Sequence, residues 1–382
     1  MNGRAVLIAG GYGVVGRRIA AELAPDYELI VAGRDLQQAE ATAAAIGHRV
    51  RGRALDVTDD ASITAALDGV VAVVSCVDQP QRRLLHAAIR RGLRYTDITP
   101  HLVELGRGAA YEALAAAAHA SGACIVLGTG IVPGISNVMA RALANVLGGV
   151  DGVETSLLLS ASDVTGPAAF DYFLQELTMP FEVHVDGADR PARPFSEPRV
   201  VEFPEPFGPR PAYLFPFSDQ VLYPRTLGVQ TALARLALEP PRLARLLAAS
   251  VRLGAVRLVA RDGVRRVLSG RRRNRANSHD ARFALRVDVI HGERSAHATL
   301  VGGAQADAAA AGANGTVRAL MEGEVTKPGV WMPEQVMSPP RFFSHLAKHG
   351  LTVDISAIND HSAAHQPGAN RHLRGVNHAD GH

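Results

Sequence analysis

The stretch that decides the fold is Ala5–Gly16, which reads AVLIAGGYGVVG. Its first five residues form a short apolar run, as expected of a parallel strand buried on both faces. The next residues, Gly11–Gly16, fit the pattern G-x-G-x-x-G, and a helical pattern follows over Val15–Leu23. A strand, a glycine turn and a helix in this order predict a dinucleotide-binding βαβ unit.

Each glycine of the pattern has a distinct expected role. Gly11 permits the tight turn, Gly13 lets the backbone approach a pyrophosphate, and Gly16 allows the helix to pack closely on the strand. The free N–H groups at the start of the helix can then bind phosphate. We therefore expect the cofactor's pyrophosphate to lie against Gly11, Tyr12, Gly13, Val14, Val15 and Gly16.

Outward from this unit, strands and helices alternate to about residue 127. Further strands are predicted at Glu28–Ala32, Val50–Asp56, Ala72–Val77, Arg94–Asp97 and Cys124–Leu127. Helical patterns separate them. This alternation predicts an α/β fold with a Rossmann-type, doubly wound parallel sheet. Beyond Gly148 the pattern changes, and Phe283–Ile290 and Ser295–Leu300 predict an antiparallel hairpin.

The end of the second predicted strand indicates the cofactor. An NAD enzyme places Asp or Glu there for the ribose hydroxyls, but this chain has Gly33-Arg34-Asp35. A guanidinium at Arg34 can bind a 2′-phosphate in a bidentate manner, whereas Asp35 is one residue late for the ribose. We therefore expect NADP rather than NAD.

Two further strand ends are expected to contact the cofactor. Asp56 and Val57 end the third strand, where an acidic side chain can meet the adenine amino group; a helix cap is the alternative role for Asp56. Cys76 and Val77 end the fourth strand, and ligands of such sheets lie outside the carboxyl ends of the strands. These two residues are therefore candidates to line the nicotinamide.

Composition excludes several classes. The 382 residues are 47% hydrophobic and 20% charged, which excludes collagen, coiled coil and wholly disordered chains. Two cysteines exclude a disulfide scaffold and a four-cysteine zinc site, and they suit a reducing cytoplasm. Ala120–Ala140 has no charged residue, but its glycines and Pro133 argue against a membrane span, and no signal peptide is evident.

The net charge of +3 is unevenly distributed. Residues 232–282 contain thirteen Arg and three acids, so this segment carries +10 and the rest carries −7. Apolar residues at helical spacing within 232–275 predict a basic amphipathic helix, which leaves open a solvated surface, a carrier protein or a membrane surface as its contact. The segment has no interleaved aromatic residues, so we expect no nucleic-acid partner.

Several motifs together resemble the saccharopine dehydrogenase-like family. They are AGGYGVVGRRI at residues 9–19, GLRYTDIT at 92–99, GTGIVPGISN at 128–137 and GVWMPE at 329–334. The resemblance implies NADP-linked redox chemistry at a C–N bond of an amino-acid-derived substrate. It also implies a Rossmann domain at 1–130, completed by about 335–357, with an inserted α+β substrate domain at 131–334. The polar residues 358–382 are predicted to be a disordered tail.

One departure from the family concerns the proton donor. Members that form amino acids carry Asp before the Pro-Gly turn, where this chain has Val132. Asp97 and His101, in the loop after the fifth strand, are the predicted catalytic pair, because a histidine can donate a proton near neutral pH. Asp163 and Tyr172 are further candidates. We expect no metal site, since the histidines of the tail have irregular spacing.

Three functions remain open at this point. The first is reduction or formation of a C=N bond. The second is reduction of an acyl or polyketide chain, as in trans-acting enoyl reductases of the family. The third is a redox sensor that binds NADP without turnover. The expected partner is a small-molecule substrate, and a homodimer is left open.

Overall fold

Seven parallel strands form the first sheet of the protein, which we describe from a computed structural model. The structure describes residues 5–79, 81–98, 108–160, 173, 176–177, 179–254 and 282–358. The strands are β1 (Ala5–Ala9), β2 (Glu28–Gly33), β3 (Val50–Ala54), β4 (Val70–Ser75), β5 (Arg94–Asp97), β6 (Cys124–Val126) and β15 (Gly329–Trp331). Their order is β15-β6-β5-β4-β1-β2-β3. The order reverses between β1 and β4, and in such sheets the ligand crevice lies at this reversal.

Helices cover both faces of this sheet. They are α1 (Val14–Leu23), α2 (Leu36–Ile46), α3 (Asp60–Ala66), α4 (Arg83–Arg90) and α5 (Ala109–Ser121). Strand β1 shows why both faces are buried. Leu7 belongs to the core beneath α3, α4 and α5, whereas Val6 and Ile8 belong to the core beneath α1 and α2. The doubly wound parallel sheet is confirmed.

A second, mixed sheet contains nine strands. They are β7 (Gly152–Ser160), β8 (Phe181–Val185), β9 (Ala188–Ala192), β10 (Arg199–Phe203), β11 (Gly208–Leu214), β12 (Thr231–Glu239), β13 (Phe283–His291), β14 (Arg294–Gly302) and β16 (Val353–Ile358). Strands β7 and β12 pair in parallel, and the other pairs are antiparallel. The predicted hairpin is β13–β14, with Gly292 in its turn.

The later helices connect the two sheets. They are α6 (Ile135–Leu147), α7 (Asp219–Thr226), α8 (Pro241–Arg252), α9 (Gln305–Met321), α10 (Pro333–Val336) and α11 (Pro339–Ala347). Helix α9 packs on α1 and completes the core on that face of the first sheet through Ala310, Ala313 and Val317. Gly312 allows a close approach, since a Cβ there would lie 2.8 Å from the Thr129 carbonyl oxygen.

Two sequence predictions differ from the structure. Residues 232–239, predicted as part of a basic helix, lie in strand β12, and only Pro241–Arg252 of that segment is helical; residues 255–275 lie outside the described residues. The strand is favoured because Ala232, Ala234 and Leu236 alternate into the core of the second sheet.

The chain's end also differs from the prediction. The strand that joins the first sheet is β15, whereas residues 335–357, expected to complete it, run through α11 into β16 of the second sheet. Ile358, predicted to begin the tail, is the last residue of β16, and residues 359–382 lie outside the described part. The pairing partner of a short apolar strand is a long-range contact, which its own sequence does not specify.

Candidate active site

The glycine loop lies between the carboxyl end of β1 and the start of α1, at the reversal of strand order. A Cβ on Gly16 would lie 2.3 Å from the Gly10 carbonyl oxygen, so helix and loop are in direct contact there. A Cβ on Gly13 would meet only the Gly10 oxygen, at 3.1 Å, and the outer side of Gly13 is open. This combination of tight packing at Gly16 and access at Gly13 is what a bound pyrophosphate requires.

Donors for the phosphates are available at the first turn of α1. No described residue accepts a hydrogen bond from the N–H groups of Val14, Val15 or Gly16, and Gly13 provides no side-chain cap. Val14 is 46% exposed, so this turn faces solvent. Unpaired N–H groups and the positive end of the helix dipole favour an anion at this position.

The end of β2 is covered by Tyr12. A Cβ on Gly33 would lie 2.3 Å from the Tyr12 ring, and the Tyr12 hydroxyl accepts a hydrogen bond from the Asp35 N–H at 3.3 Å. The Asp35 side chain caps α2 by accepting from the Gln38 N–H at 3.0 Å, and hydrogen bonds from Gln38 lower the pKa of Asp35. Asp35 is thus occupied as a helix cap, whereas Arg34 is exposed and makes no ion pair with another described residue.

Asp56 and Val57 follow β3 on the same edge of the sheet. One Asp56 oxygen, Oδ1, accepts from the Thr58 N–H at 2.9 Å and from the Thr58 hydroxyl at 2.7 Å. These bonds lower the pKa of Asp56, and Arg34 contributes a smaller effect in the same direction. Asp59, not Asp56, caps the following helix. The second Asp56 oxygen can therefore accept from an adenine amino group.

Cys76 and Val77 lie directly beside the glycine loop. A Cβ on Gly10 would lie 2.6 Å from Val77 Cγ1 and 3.3 Å from the Cys76 carbonyl oxygen. The Cys76 N–H donates to the Ala9 oxygen at 2.9 Å. Burial, with a smaller effect of Asp97, raises the pKa of the Cys76 thiol to about 12, so it is not a thiolate nucleophile at neutral pH.

The predicted catalytic pair is only half described. Asp97 ends β5 next to Ser75 of β4, and its Oδ1 accepts from the Gly128 N–H at 2.9 Å. Its carbonyl oxygen accepts from the Thr129 N–H at 2.7 Å. Asp97 thus joins β5 to the loop after β6 and is buried. His101, and the further candidates Asp163 and Tyr172, lie outside the described residues.

Two buried carboxyl groups near the start of α6 were not found by sequence reasoning. The Tyr223 hydroxyl donates to Asp219 Oδ2 at 3.0 Å, and the Thr226 hydroxyl donates to Glu334 Oε1 at 2.5 Å. Asp219 Oδ1, Glu334 Oε2 and Asn137 Nδ2 are buried without a hydrogen-bond partner among the described residues. We call Asp219 and Glu334 the buried acid pair.

Burial raises the pKa of both acids, to about 6 for Asp219 and about 7 for Glu334, although hydrogen-bond donors oppose the shift. Both side chains are sealed from solvent, so neither meets a substrate in this conformation. Two of their partners are distant in the sequence: Thr155 contacts Asp219, and Thr226 contacts Glu334. Tyr223, which also contacts Asp219, follows it by four residues. No local pattern in the sequence marks such a cluster.

One family model and one solved structure agree with this geometry. The model of the family "Saccharopine dehydrogenase NADP binding domain" matches residues 6–126. A saccharopine dehydrogenase (L-Glu forming) from Saccharomyces cerevisiae shares the fold with a TM-score of 0.67 at 15% identity, over 93% of this chain and 100% of that one. A 3-ketoacyl-(acyl-carrier-protein) reductase from Brucella melitensis, complexed with NADH, aligns over 33% of this chain and 74% of its own, with 16% identity and a TM-score of 0.26. The search of curated proteins returned no match.

No helix within the described ranges is both long and apolar enough to cross a membrane. The first sheet carries the glycine loop of a dinucleotide-binding fold, and the family match covers nearly all of that sheet. The residues present fit NADP, because the loop is open at Gly13 and the first-turn N–H groups of α1 have no partner among the described residues. Residues 6–126 therefore match a saccharopine dehydrogenase NADP-binding domain, and the chain as a whole shares the fold of a saccharopine dehydrogenase.

Proposed function

We propose that this protein is an NADP-dependent oxidoreductase that reduces or forms a C=N bond in an amino-acid-derived substrate. The observation that carries the proposal is the open glycine loop beside the ends of β4 and β5, within a fold shared with a saccharopine dehydrogenase. NADPH, when bound, supplies the hydride for such a reduction. The protein's task is then to orient the two reactants and to handle one proton.

The proposed cofactor contacts follow the carboxyl edge of the sheet. Gly11–Gly16 would hold the pyrophosphate, Arg34 the 2′-phosphate, and Asp56 with Val57 the adenine. Cys76 and Val77, which contact Gly10, would line the nicotinamide. An exposed guanidinium that makes no ion pair with another described residue supports the assignment of Arg34, since charge-assisted bidentate pairs are the geometry in which Arg binds phosphate.

The proposed proton relay is Asp97 and His101. Asp97 is held at the end of β5 by the Gly128 N–H, four residues before His101 in the chain. A histidine donates near neutral pH without a large pKa shift, and Val132 offers no acid at the family's position. Asp97 would act as a positioning residue for the histidine, because its Oδ1 is already engaged.

Replacement of His101 tests this relay. His101→Ala is expected to lower kcat by about a hundred- to ten-thousandfold, with NADPH affinity unchanged and one limb of the pH–rate profile lost. His119→Ala, on an exposed face of α5, is the matched control and should retain kcat. Asp97→Asn keeps the acceptor for Gly128 and should shift the same limb. An unaltered kcat and profile in His101→Ala would exclude the relay.

Reduction of an acyl chain is the second candidate function. Within the Arg-rich segment 232–275, helix α8 is the favoured contact for a carrier protein or a membrane surface. Its Leu246 is 67% exposed, and Leu253 after its end is 81% exposed, and both lie among arginines. NADPH oxidation with imine, 2-keto acid and enoyl substrates distinguishes the two. Turnover only with enoyl substrates would favour the acyl chain, and tight NADPH binding without any turnover would favour the redox sensor.

Two further proposals concern the setting of the enzyme. A cytoplasmic location is supported by two unpaired cysteines, Cys76 and Cys124, which suit a reducing compartment. A homodimer stays a prediction, which the mass of the protein in solution tests. The division into a Rossmann domain and an inserted substrate domain also stays a prediction, supported by the two separate sheets.

A further inference from the structure

A cluster of metal-ligating side chains lies where α1 meets the chain's last helix. Glu22 comes from α1, His345 from the last turn of α11, and His349 from the turn after it. Their ligand atoms all lie within 4.8 Å of one another. Glu22 Oε1 is 3.1 Å from His349 Nε2 and 3.8 Å from His345 Nε2.

We propose that Glu22, His345 and His349 bind a divalent transition-metal ion of the zinc type, with water completing its coordination. Two histidines at i and i+4 can present nitrogens to one metal ion, and a carboxylate is a common third ligand. Zinc bonds of about 2.0–2.2 Å in tetrahedral geometry separate ligand atoms by roughly 3.3–3.5 Å. Glu22 Oε1 and His349 Nε2 are already about this close, and His345 Nε2 is slightly farther from Glu22 Oε1, at 3.8 Å.

One ligand atom of the cluster has a hydrogen-bond partner that a metal ion would replace. His345 Nε2 lies 3.1 Å from the Ala311 carbonyl oxygen, and a metal ion at Nε2 would replace this hydrogen bond.

A buried asparagine donates a hydrogen bond to the Glu22 carboxylate. Asn314, fully buried in α9, donates from Nδ2 to Glu22 Oε2, which leaves Oε1 toward the two histidines. The Asn314 Oδ1 is buried without a hydrogen-bond partner among the described residues. A metal-bound water can donate to such an oxygen, and outer hydrogen bonds of this kind orient metal ligands.

The charges around the cluster do not oppose a cation. The groove beside it is lined by both acidic and basic side chains. Its two arginines are paired with acids: Arg318 with Asp26 at 2.7 Å, and Arg341 with Glu324 at 2.6 Å. Lys348 and Glu322 are the further charged groups that line this groove. The carboxylate of Glu22 therefore remains to attract a metal ion.

A metal ion here would join three elements that are far apart in the sequence. Glu22 belongs to the glycine-loop helix, Asn314 to α9, and the histidines to the last helix. The site lies away from the proposed hydride-transfer edge, since Glu22 is in the last turn of α1 and the glycine loop precedes its first. The proposed role is to fasten the chain's end to the cofactor domain.

Titration of the full-length, metal-free protein with Zn²⁺ and Co²⁺ tests the site. We expect one Zn²⁺ per chain more in the wild type than in His345→Ala/His349→Ala, and ligand-field bands of a four- or five-coordinate Co²⁺ site that the double variant lacks. Loss of two ligands should weaken this binding at least about a hundredfold, since outer-shell changes alone cost about ten- to a hundredfold.

Two variants keep the test decisive. Glu22→Gln is nearly isosteric and should lose the same ion while retaining its circular dichroism spectrum. His119→Ala removes an exposed histidine elsewhere and should bind as the wild type does. The tail contains further histidines, so equal stoichiometry and equal affinity in the wild type, the double variant and Glu22→Gln would assign all binding to other positions and overturn the proposal.

Discussion

The glycine loop and the buried acid pair are both polar sites, but they are built in opposite ways. The loop uses the contiguous residues Gly11–Gly16, and the N–H groups of Val14, Val15 and Gly16 have no partner among the described residues. The acid pair unites Asp219 and Glu334, which are more than a hundred residues apart, and seals both from solvent. A site that must admit a ligand can be encoded locally, whereas a sealed polar cluster depends on how the whole chain packs.

The largest expected effect comes from filling the open side of the loop. Gly13→Val should abolish NADPH binding, with affinity reduced at least about a hundredfold, because a branched side chain blocks several charge-assisted hydrogen bonds. The fold should persist, since a Cβ at Gly13 meets only the Gly10 oxygen, at 3.1 Å. A cofactor titration and a circular dichroism spectrum of the same sample check both points. If Gly13→Val still binds NADPH, this loop does not contact the cofactor's phosphates.

A substitution at Gly16, on the packed side of the same loop, should lower the free energy of unfolding. Gly16→Ala places a Cβ 2.3 Å from the Gly10 carbonyl oxygen, and such overpacking costs about 3 kcal/mol or more where backbone must move. Gly13→Ala is the matched control and should cost far less. Urea unfolding of the two variants measures the difference. Equal midpoints would contradict the contrast between the two glycines.

A smaller effect is expected at the end of β2. Arg34→Ala should weaken NADPH binding about ten- to a hundredfold, which corresponds to roughly 1.5–3 kcal/mol for a charge-assisted bidentate contact. NADH affinity should change little, because NADH lacks the 2′-phosphate. Arg90→Ala, exposed on α4, serves as the control. If Arg34→Ala loses affinity for both cofactors equally, Arg34 does not select NADP.

The acid pair should make the free energy of unfolding depend on pH. Its folded pKa values, about 6 and about 7, lie above the ordinary values of 3.8 and 4.5. Stability from the protonated acids is therefore fully present below pH 4 and is lost as the pH rises through 6 and 7. Asp219→Asn and Glu334→Gln stay neutral, so each should be more stable than the wild type at pH 8, on the order of 1–3 kcal/mol, and similar at pH 4.

Denaturant unfolding across this pH range measures the effect. Asp354→Asn, at an exposed position of β16, should leave the pH profile of the wild type unchanged. A wild type whose stability rises from pH 4 to 8 relative to both acid-pair variants would show that these carboxylates are stabilised as anions. In that case the sealed cluster would resemble the open loop in favouring charge.

The sequence by itself determined the first six strands of the first sheet and its glycine loop. The strands predicted at Ala5–Ala9 and Arg94–Asp97 are present in the structure with the same bounds. In these segments the period of apolar residues and the glycine turn act over a few neighbouring positions. The family match to residues 6–126 covers this same part of the chain.

Only the tertiary structure decided which elements that are distant in the sequence contact one another. It assigned residues 232–239 to a strand between β11 and β7, used β15 to extend the first sheet, and placed α9 against α1. It also brought Asp219 near Glu334, and Glu22 beside His345 and His349. The physical reason is that such contacts form between elements far apart in the chain, so the pattern within each element fixes its type and buried face but not its partner.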